Sequence, residues 1–243
     1  MQMDINCDLG EDCGNDALIV PWISSVNISC GAHAGSEQSI RDTITMCSKM
    51  GLAIGAHPSW ADRAHFGRKE IKLSPEEIYQ LVLNQLQYFI RLLNGEKLHH
   101  VKPHGALYNQ SAKDPAIATA IAKAVKDTDA SLILYGLSGS CSIDAAKAVG
   151  LKVASEAFAD RYYEADGTLT PRSINMAMIT TADEALKQTH ALVQDRKVTT
   201  RDGKEISVHA DTICIHGDGP HAVDFAKAIY TSLKAAAIHV QSL

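Results

Sequence analysis

The chain has 243 residues, of which 46% are hydrophobic and 21% charged, and its 23 Lys+Arg against 28 Asp+Glu leave a net charge of −5. Surface scaling for this size gives roughly 10,600 Å² folded against about 38,000 Å² unfolded, enough burial for one core and one domain over residues 1–243; the ordinary apolar content and the absence of low-complexity runs exclude disorder. There is no basic stripe, no apolar run of membrane-span length, no signal pattern in MQMDINCDLGED and no CxxC pair among the six cysteines; nucleic acid and membrane are not expected as partners, and reduced thiols in the cytoplasm are.

Short strands and amphipathic helices alternate along the chain. MDINCD and SVNIS read as strands, followed by a helix over about 37–50, capped by Ser36 and ended by Gly51. LAIGAH is the third strand. Ser74, Pro75 and Glu77 then form a capping box with proline in the first turn. The stripe Ile78, Leu81, Val82, Leu86, Phe89 and Leu93 follows, with Gly95 predicted as the left-handed stop. HHVKP precedes a helix opened by Asp114-Pro115, with Ile117, Ile121 and Val125 on one face. LILYG and LKVASEA are the next strands, and Thr181 with Glu184 opens a helix carrying Leu186, Leu192 and Val193. A hairpin over 199–206 turns at Asp202-Gly203. DTICIH is the last strand, and Gly219-Pro220 starts a final helix with Val223, Ala226, Tyr230 and Leu233.

Most strands are expected to be apolar on both faces, as in a sheet covered by helices. Strand–helix alternation repeated about seven times predicts an α/β fold with a parallel sheet. A closed barrel is favoured over an open sheet, because polar residues stand at the end of nearly every strand rather than at one switch point.

Those strand ends carry the chemistry. Asp8 and Glu11 follow the first strand; Asn27, Cys30 and His33 belong to the second and its loop; His57 ends the third and Lys102-Pro103-His104 the fourth. Glu156 and then Asp160-Arg161 follow a later strand, and His216-Gly217-Asp218 ends the last. In a barrel these ends share one mouth. His33, His57, His104 and His216 each lie beside Gly or Pro, whereas His99, His190, His209, His221 and His239 read as structural or exposed by default. Lys102, between an apolar strand and proline, suits an anion or oxyanion; Asp160-Arg161 also fits a plain surface ion pair. Cys30 is the one cysteine expected near the site loops. The chain lacks GxxxxGK[ST], GxGxxG after the first strand and GxSxG, which disfavours a self-contained P-loop ATPase, a Rossmann dehydrogenase and an α/β-hydrolase. Carboxylates with histidines at strand ends suggest metal-assisted or general-base hydrolysis of an amide-like bond.

NCDLGE, SSVNISCGAHAG, GAHPSWADRAHFGR, HVKPHGALYNQ, FADRYYEADGTLTPRS and TICIHGDGPHAV, in this order over residues 4 to about 223, resemble the LamB/YcsF family. Ala32, Ser36, Lys69 and the segment NQLQYFIRLL depart from the common pattern without touching the polar residues above. The resemblance implies a seven-stranded, TIM-like β/α barrel of the glycoside hydrolase and deacetylase type. It also implies the A subunit of a bacterial ATP-dependent 5-oxoprolinase, which with subunits B and C converts 5-oxo-L-proline, ATP (with Mg as its counterion) and water into L-glutamate, ADP and phosphate. On that reading Asp8, His57, Lys102 and His104 are catalytic: Asp8 or His57 as base, His104 as acid for the departing ring nitrogen, Lys102, with Arg161, toward the substrate carboxylate or the phosphorylated oxygen. Asn27, His33, Arg161, His216 and Asp218 bind substrate or position water. A protein-bound metal is left open; Asp8, His33, His57 and His104 could form one by analogy with the Asp/His/His site of the related deacetylases. The alternatives are a stand-alone metal-dependent amide hydrolase and a non-catalytic lactam-binding subunit.

Overall fold

Seven parallel strands close on themselves in the computed structural model, which describes residues 1–243. Strand β1 (Gln2–Leu9) leads through the short helix α1 (Asp16–Ile19) to β2 (Ser25–Ser29), then α2 (Glu37–Lys49), β3 (Ala53–His57) and α3 (Pro75–Leu93). The two-residue β4 (His100–Val101) is followed by α4 (Gly105–Lys113), α5 (Pro115–Thr128), β5 (Ile133–Leu137), α6 (Cys141–Ala148) and β6 (Lys152–Phe158). Helix α7 (Ala182–His190) and the antiparallel hairpin β7 (Lys197–Thr199)–β8 (Glu205–Ser207) precede β9 (Thr212–His216) and α8 (Ala222–Ala235). Strand β9 closes the ring: Thr212 lies opposite Glu156 of β6 on one side and Asp4 of β1 on the other. A last strand, β10 (His239–Val240), pairs in parallel with Gln2 and Met3 at the start of β1. The accessible surface, 10530 Å², agrees with the scaling expectation.

Local chemistry explains the helix boundaries. Ser74 accepts from the Glu77 amide while the Glu77 carboxylate returns to the Ser74 amide, so two orphan donors are satisfied before the apolar stripe begins. Asn94, not Gly95, takes the left-handed cap at φ 49°; asparagine tolerates that region almost as glycine does. The final helix starts at Ala222, after a turn through Gly219 and Pro220. Helices α4 and α6 have no counterpart in the sequence reading. Neither N-cap makes a side-chain hydrogen bond; His104 is not a usual capping residue, and Ser140, which is, leaves its hydroxyl out of the cap.

The inner face of the barrel is polar, against the expectation of strands apolar on both sides. Along β1, Ile5, Cys7 and Leu9 join the hydrophobic core, while Asp4, Asn6 and Asp8 meet partners across the barrel interior. At the closed end Asp4 accepts from the hydroxyls of Ser24, Ser25, Thr212 and Tyr135 at 2.7, 2.6, 2.6 and 3.0 Å. Burial still raises its pKa above the usual range, the four hydroxyls pulling the other way. Above it, the Asn6 amide donates to Thr212 at 2.8 Å, and Asn27 donates to Asn6 at 2.7 Å and to Asp8 at 2.8 Å. His100 stacks on Tyr135 at 4.0 Å and donates to Asn27 at 2.8 Å. A buried polar group is tolerable only when hydrogen-bonded, and this ladder satisfies its members from the closed end up to Asp8.

Candidate active site at the open end

The strand ends frame a cavity of about 360 Å³ whose lining includes Asp8, His57, Lys102, His104, Arg161 and His216. Its floor is the top of the polar ladder. Lys102, 2% exposed, places its ammonium 2.9 Å from Oδ1 of Asp8 and 2.8 Å from Oε1 of Glu156, with Asn6 Oδ1 at 3.2 Å and Cys214 Sγ at 3.0 Å. Burial alone would lower its pKa; Asp8, Cys214 and Glu156 together outweigh it and hold the ammonium protonated. Burial likewise pushes Asp8 upward, but His57 and Lys102 bring its carboxyl well below the usual range. Lys102 is thus a partner of two carboxylates, and its donors are already engaged. Cys214 touches the Lys102 ammonium, while Cys30 lies against the His57 backbone.

The other oxygen of Asp8 faces the histidines. Oδ2 lies 3.3 Å from Nε2 of His57, which is 2.9 Å from Nδ1 of His104. The remaining ring nitrogens meet backbone carbonyls: Nδ1 of His57 donates to Lys102 O at 2.7 Å, and Nε2 of His104 donates to Phe66 O at 2.9 Å. Phe66 sits in the left-handed region at φ 54°, a conformation costing a bulky residue about 1–3 kcal/mol. There it directs its carbonyl at His104 and packs its ring edge-on against both His33 and His104, at 5.4 and 5.5 Å. At Gly105 an added Cβ would meet Gly67 O at 2.6 Å, and φ is +56°, so this contact between the loops carrying Phe66 and His104 requires glycine.

His33 stacks on His104 with ring centres 3.8 Å apart. Its Nδ1 bonds Ser59 Oγ at 2.8 Å, and since that hydroxyl donates to Trp60 O, the imidazole is the donor. Its Nε2 faces Oε1 of Glu11 at 2.9 Å. Burial, with the charges of Asp8 and Asp218, pushes the Glu11 carboxyl well above its usual range, while burial brings His33 down to about 3. A protonated Glu11 donating to a neutral His33 accounts for both.

On the far wall His216 donates from Nδ1 to Asp160 at 2.9 Å and stacks on Phe158. Asp160 and Arg161, each 4% exposed, therefore do not form a surface pair with one another. The Arg161 guanidinium donates to Thr170 O at 2.6 Å and Ala177 O at 3.3 Å and has no carboxylate partner; burial and the nearby Arg172 lower its pKa to about 10. Asp218 stands apart, paired with Arg68.

The fold thus brings Asp8, Asn27, His33, His57, Lys102 and His104 together, with His216 and Arg161 across the cavity. Glu11 lies within this group, although the sequence gives it no role beyond following the first strand; its three-residue spacing from Asp8 is the available signal. Arg68 and Cys214 also belong to the surroundings, and no spacing in the sequence marks them; Asp160, named with Arg161 after its strand, enters as the partner of His216.

The LamB/YcsF family profile matches residues 3–243. The A subunit of the 5-oxoprolinase of Bordetella pertussis is 47% identical over 247 residues, covering 99% of this chain and 98% of that protein. The structure of the Lactam Utilization Protein from Thermus thermophilus superposes with a TM-score of 0.93 at 41% identity, each chain covered to 100%. A family 4 carbohydrate esterase from Streptomyces lividans shares the fold alone, with a TM-score of 0.55 and 8% identity over 98% of this chain and 91% of that one. No helix is long and apolar enough to cross a membrane.

Proposed function

Because the chain belongs to the LamB/YcsF family, we propose that it is the subunit of a 5-oxoprolinase that binds 5-oxo-L-proline and opens its ring, acting with subunits B and C at the expense of ATP, which carries Mg as its counterion. One observation carries this reading beyond the family: the acceptor atoms of Asp8, His57 and His104 converge at the floor of a cavity whose wall presents Arg161 without a carboxylate partner. A lactam is a poor electrophile, so ring opening needs an activated carbonyl and an activated water. The water oxygen joins the ring carbonyl carbon, the C–N bond breaks, and the nitrogen takes up a proton. Asp8 and His57 offer the acceptors that take the proton from water, and His104 is placed to return one to the departing nitrogen. Lys102 keeps Asp8 anionic instead of contacting substrate. Arg161 and His216 face the substrate carboxylate or the oxygen that gains charge, while Asn27 and His33 hold the floor in place and Asp218 orders the rim through Arg68. The six free cysteines suit a cytoplasmic setting.

The test is glutamate release from 5-oxoproline and ATP, measured with this chain alone and then with subunits B and C. Release from the full mixture only is expected. Release from the chain alone, indifferent to ATP, would instead make it a self-sufficient lactam hydrolase; binding of 5-oxoproline with turnover unaffected by Asp8→Asn would make it a binding subunit.

A further inference from the structure

We propose that Arg172 closes with Arg161 as a two-arginine clamp on the substrate carboxylate, and that this clamp makes the cavity select a lactam acid over a neutral lactam. The proposal rests on the lactam reading and adds to it a residue, an orientation of the substrate and a basis for selectivity. Its ground is the antiparallel excursion between β6 and α7, which stands over the far wall. There Arg161 bridges to Met178 and Tyr163 to Leu169, while the Tyr162 amide donates to Ala177 O at 3.2 Å and the Thr170 amide to Tyr162 O at 2.9 Å. The returning arm holds the Arg161 guanidinium, which donates to Thr170 O at 2.6 Å. Only Pro171 separates Thr170 from Arg172, and both arginines line the same cavity.

The carboxylates around the cavity leave these two cations unmet. Asp8 is taken by Lys102, Asp160 by His216 and Asp218 by Arg68. Arg68 also lies over the Phe66 ring at 4.8 Å. Glu70, the remaining carboxylate of the lining, is exposed and forms no ion pair. Lys113 stands where its charge reaches Asp166. Arg161 meets only carbonyl oxygens, and Arg172 has no partner; the ion-paired arginines are Arg41, Arg68 and Arg201. Arg172 reaches solvent at the rim, yet the protein around it and the charge of Arg68 still lower its pKa. Its own charge is, after burial, the strongest influence lowering that of Arg161. Like charges held in this way are stabilised by an anion between them. A guanidinium fork matches a carboxylate with paired N–H···O bonds, whereas an uncharged lactam offers this wall nothing. With the carboxylate on the far wall, the ring lies toward Asp8, His57 and His104.

Calorimetric titration of the full chain with 5-oxo-L-proline and with 5-oxo-L-prolinamide, which has the same ring and no charge, reads the preference directly. The unaltered chain should bind the acid about 100-fold more tightly, and Arg172→Gln should reduce that preference about 10-fold while leaving affinity for the amide unchanged. Arg172→Lys, which keeps the charge without the fork, should restore part of the preference. Arg91→Gln, at an exposed position of α3, should alter neither affinity. An Arg172→Gln chain that keeps the full preference, or that loses affinity for acid and amide alike, would overturn the clamp and leave the lactam reading in place; so would an unaltered chain that binds both compounds equally. Failure of the unaltered chain to bind either compound would instead overturn the lactam reading, and the clamp with it.

Discussion

Lys102 and Asp8 form a buried ion pair of 2.9 Å inside the barrel, and the same ammonium meets Glu156 at 2.8 Å. One cation therefore serves two carboxylates, donated by strands far apart in the chain. Replacing Lys102 by Met would leave both anions buried without their partner, which costs about 3–5 kcal/mol. Urea unfolding should show that loss, and adding Glu156→Gln should recover part of it. A change under about 1 kcal/mol in Lys102→Met would mean that solvent, not the lysine, compensates the charges.

Arg161 anchors its guanidinium on Thr170 O and Ala177 O and retains free donors beside the cavity. Arg161→Gln in the assembled enzyme should raise KM for 5-oxoproline about 10–100-fold, the equivalent of one charge-assisted hydrogen bond at about 1.5–3 kcal/mol. The effect on kcat should be smaller. An unaltered KM would remove Arg161 from substrate binding.

Gly55 is adjacent to the His100 ring in the barrel interior. A Cβ at that position would come within 2.2 Å of Nε2 and 2.4 Å of Cδ2, and the imidazole is pinned between Tyr135 and Asn27. Gly55→Ala should cost at least about 1–3 kcal/mol by overpacking. Gly219→Ala, whose Cβ would meet nothing within 4 Å, should stay within about 0.5 kcal/mol. Equal stabilities of the two variants would show that His100 has room to move.

His100 should also make stability pH-dependent. Burial, reinforced by the charges of His99 and Lys102, holds its pKa well below 6.5. The folded chain keeps the ring neutral, whereas the unfolded chain protonates it near pH 6.5. Its contribution is complete above pH 6.5 and is lost as pH falls toward the depressed folded value, at about 1.4 kcal/mol per pH unit. Denaturant titrations at pH 7.5 and 5.5 should show this, and His100→Gln should reduce the slope by about one proton. An unchanged slope would assign the pH dependence to other groups.

What the sequence discloses depends on how local the cause is. The start of α3 is legible because Ser74, Pro75 and Glu77 settle it within four residues. The existence of α4 is not, since His104 opens it without a side-chain cap, although Asp114, which ends it, is readable as the cap of α5. The mouth is legible as a set of strand ends, so Asp8, His57 and His104 can be singled out without knowing their distances. The role of Lys102 is not legible, because Asp8 and Glu156 reach it only when the ring closes through β9. The polar interior escapes for a similar reason. Alternation of Asp4, Asn6 and Asp8 with Ile5, Cys7 and Leu9 is visible in β1, but two polar layers facing each other across a barrel require the closure first.

The pairing of β10 with the start of β1 brings the two chain ends together, His239 donating to Met1 O at 2.9 Å and Gln241 to Met3 O at 3.1 Å. Both ends sit at the base of the barrel, away from the cavity. A short linker could therefore join them, and the chain could be cut afresh at the exposed Asp202-Gly203 tip of the β7–β8 hairpin. A circularly permuted protein made in this way would keep every strand neighbour and leave the mouth untouched.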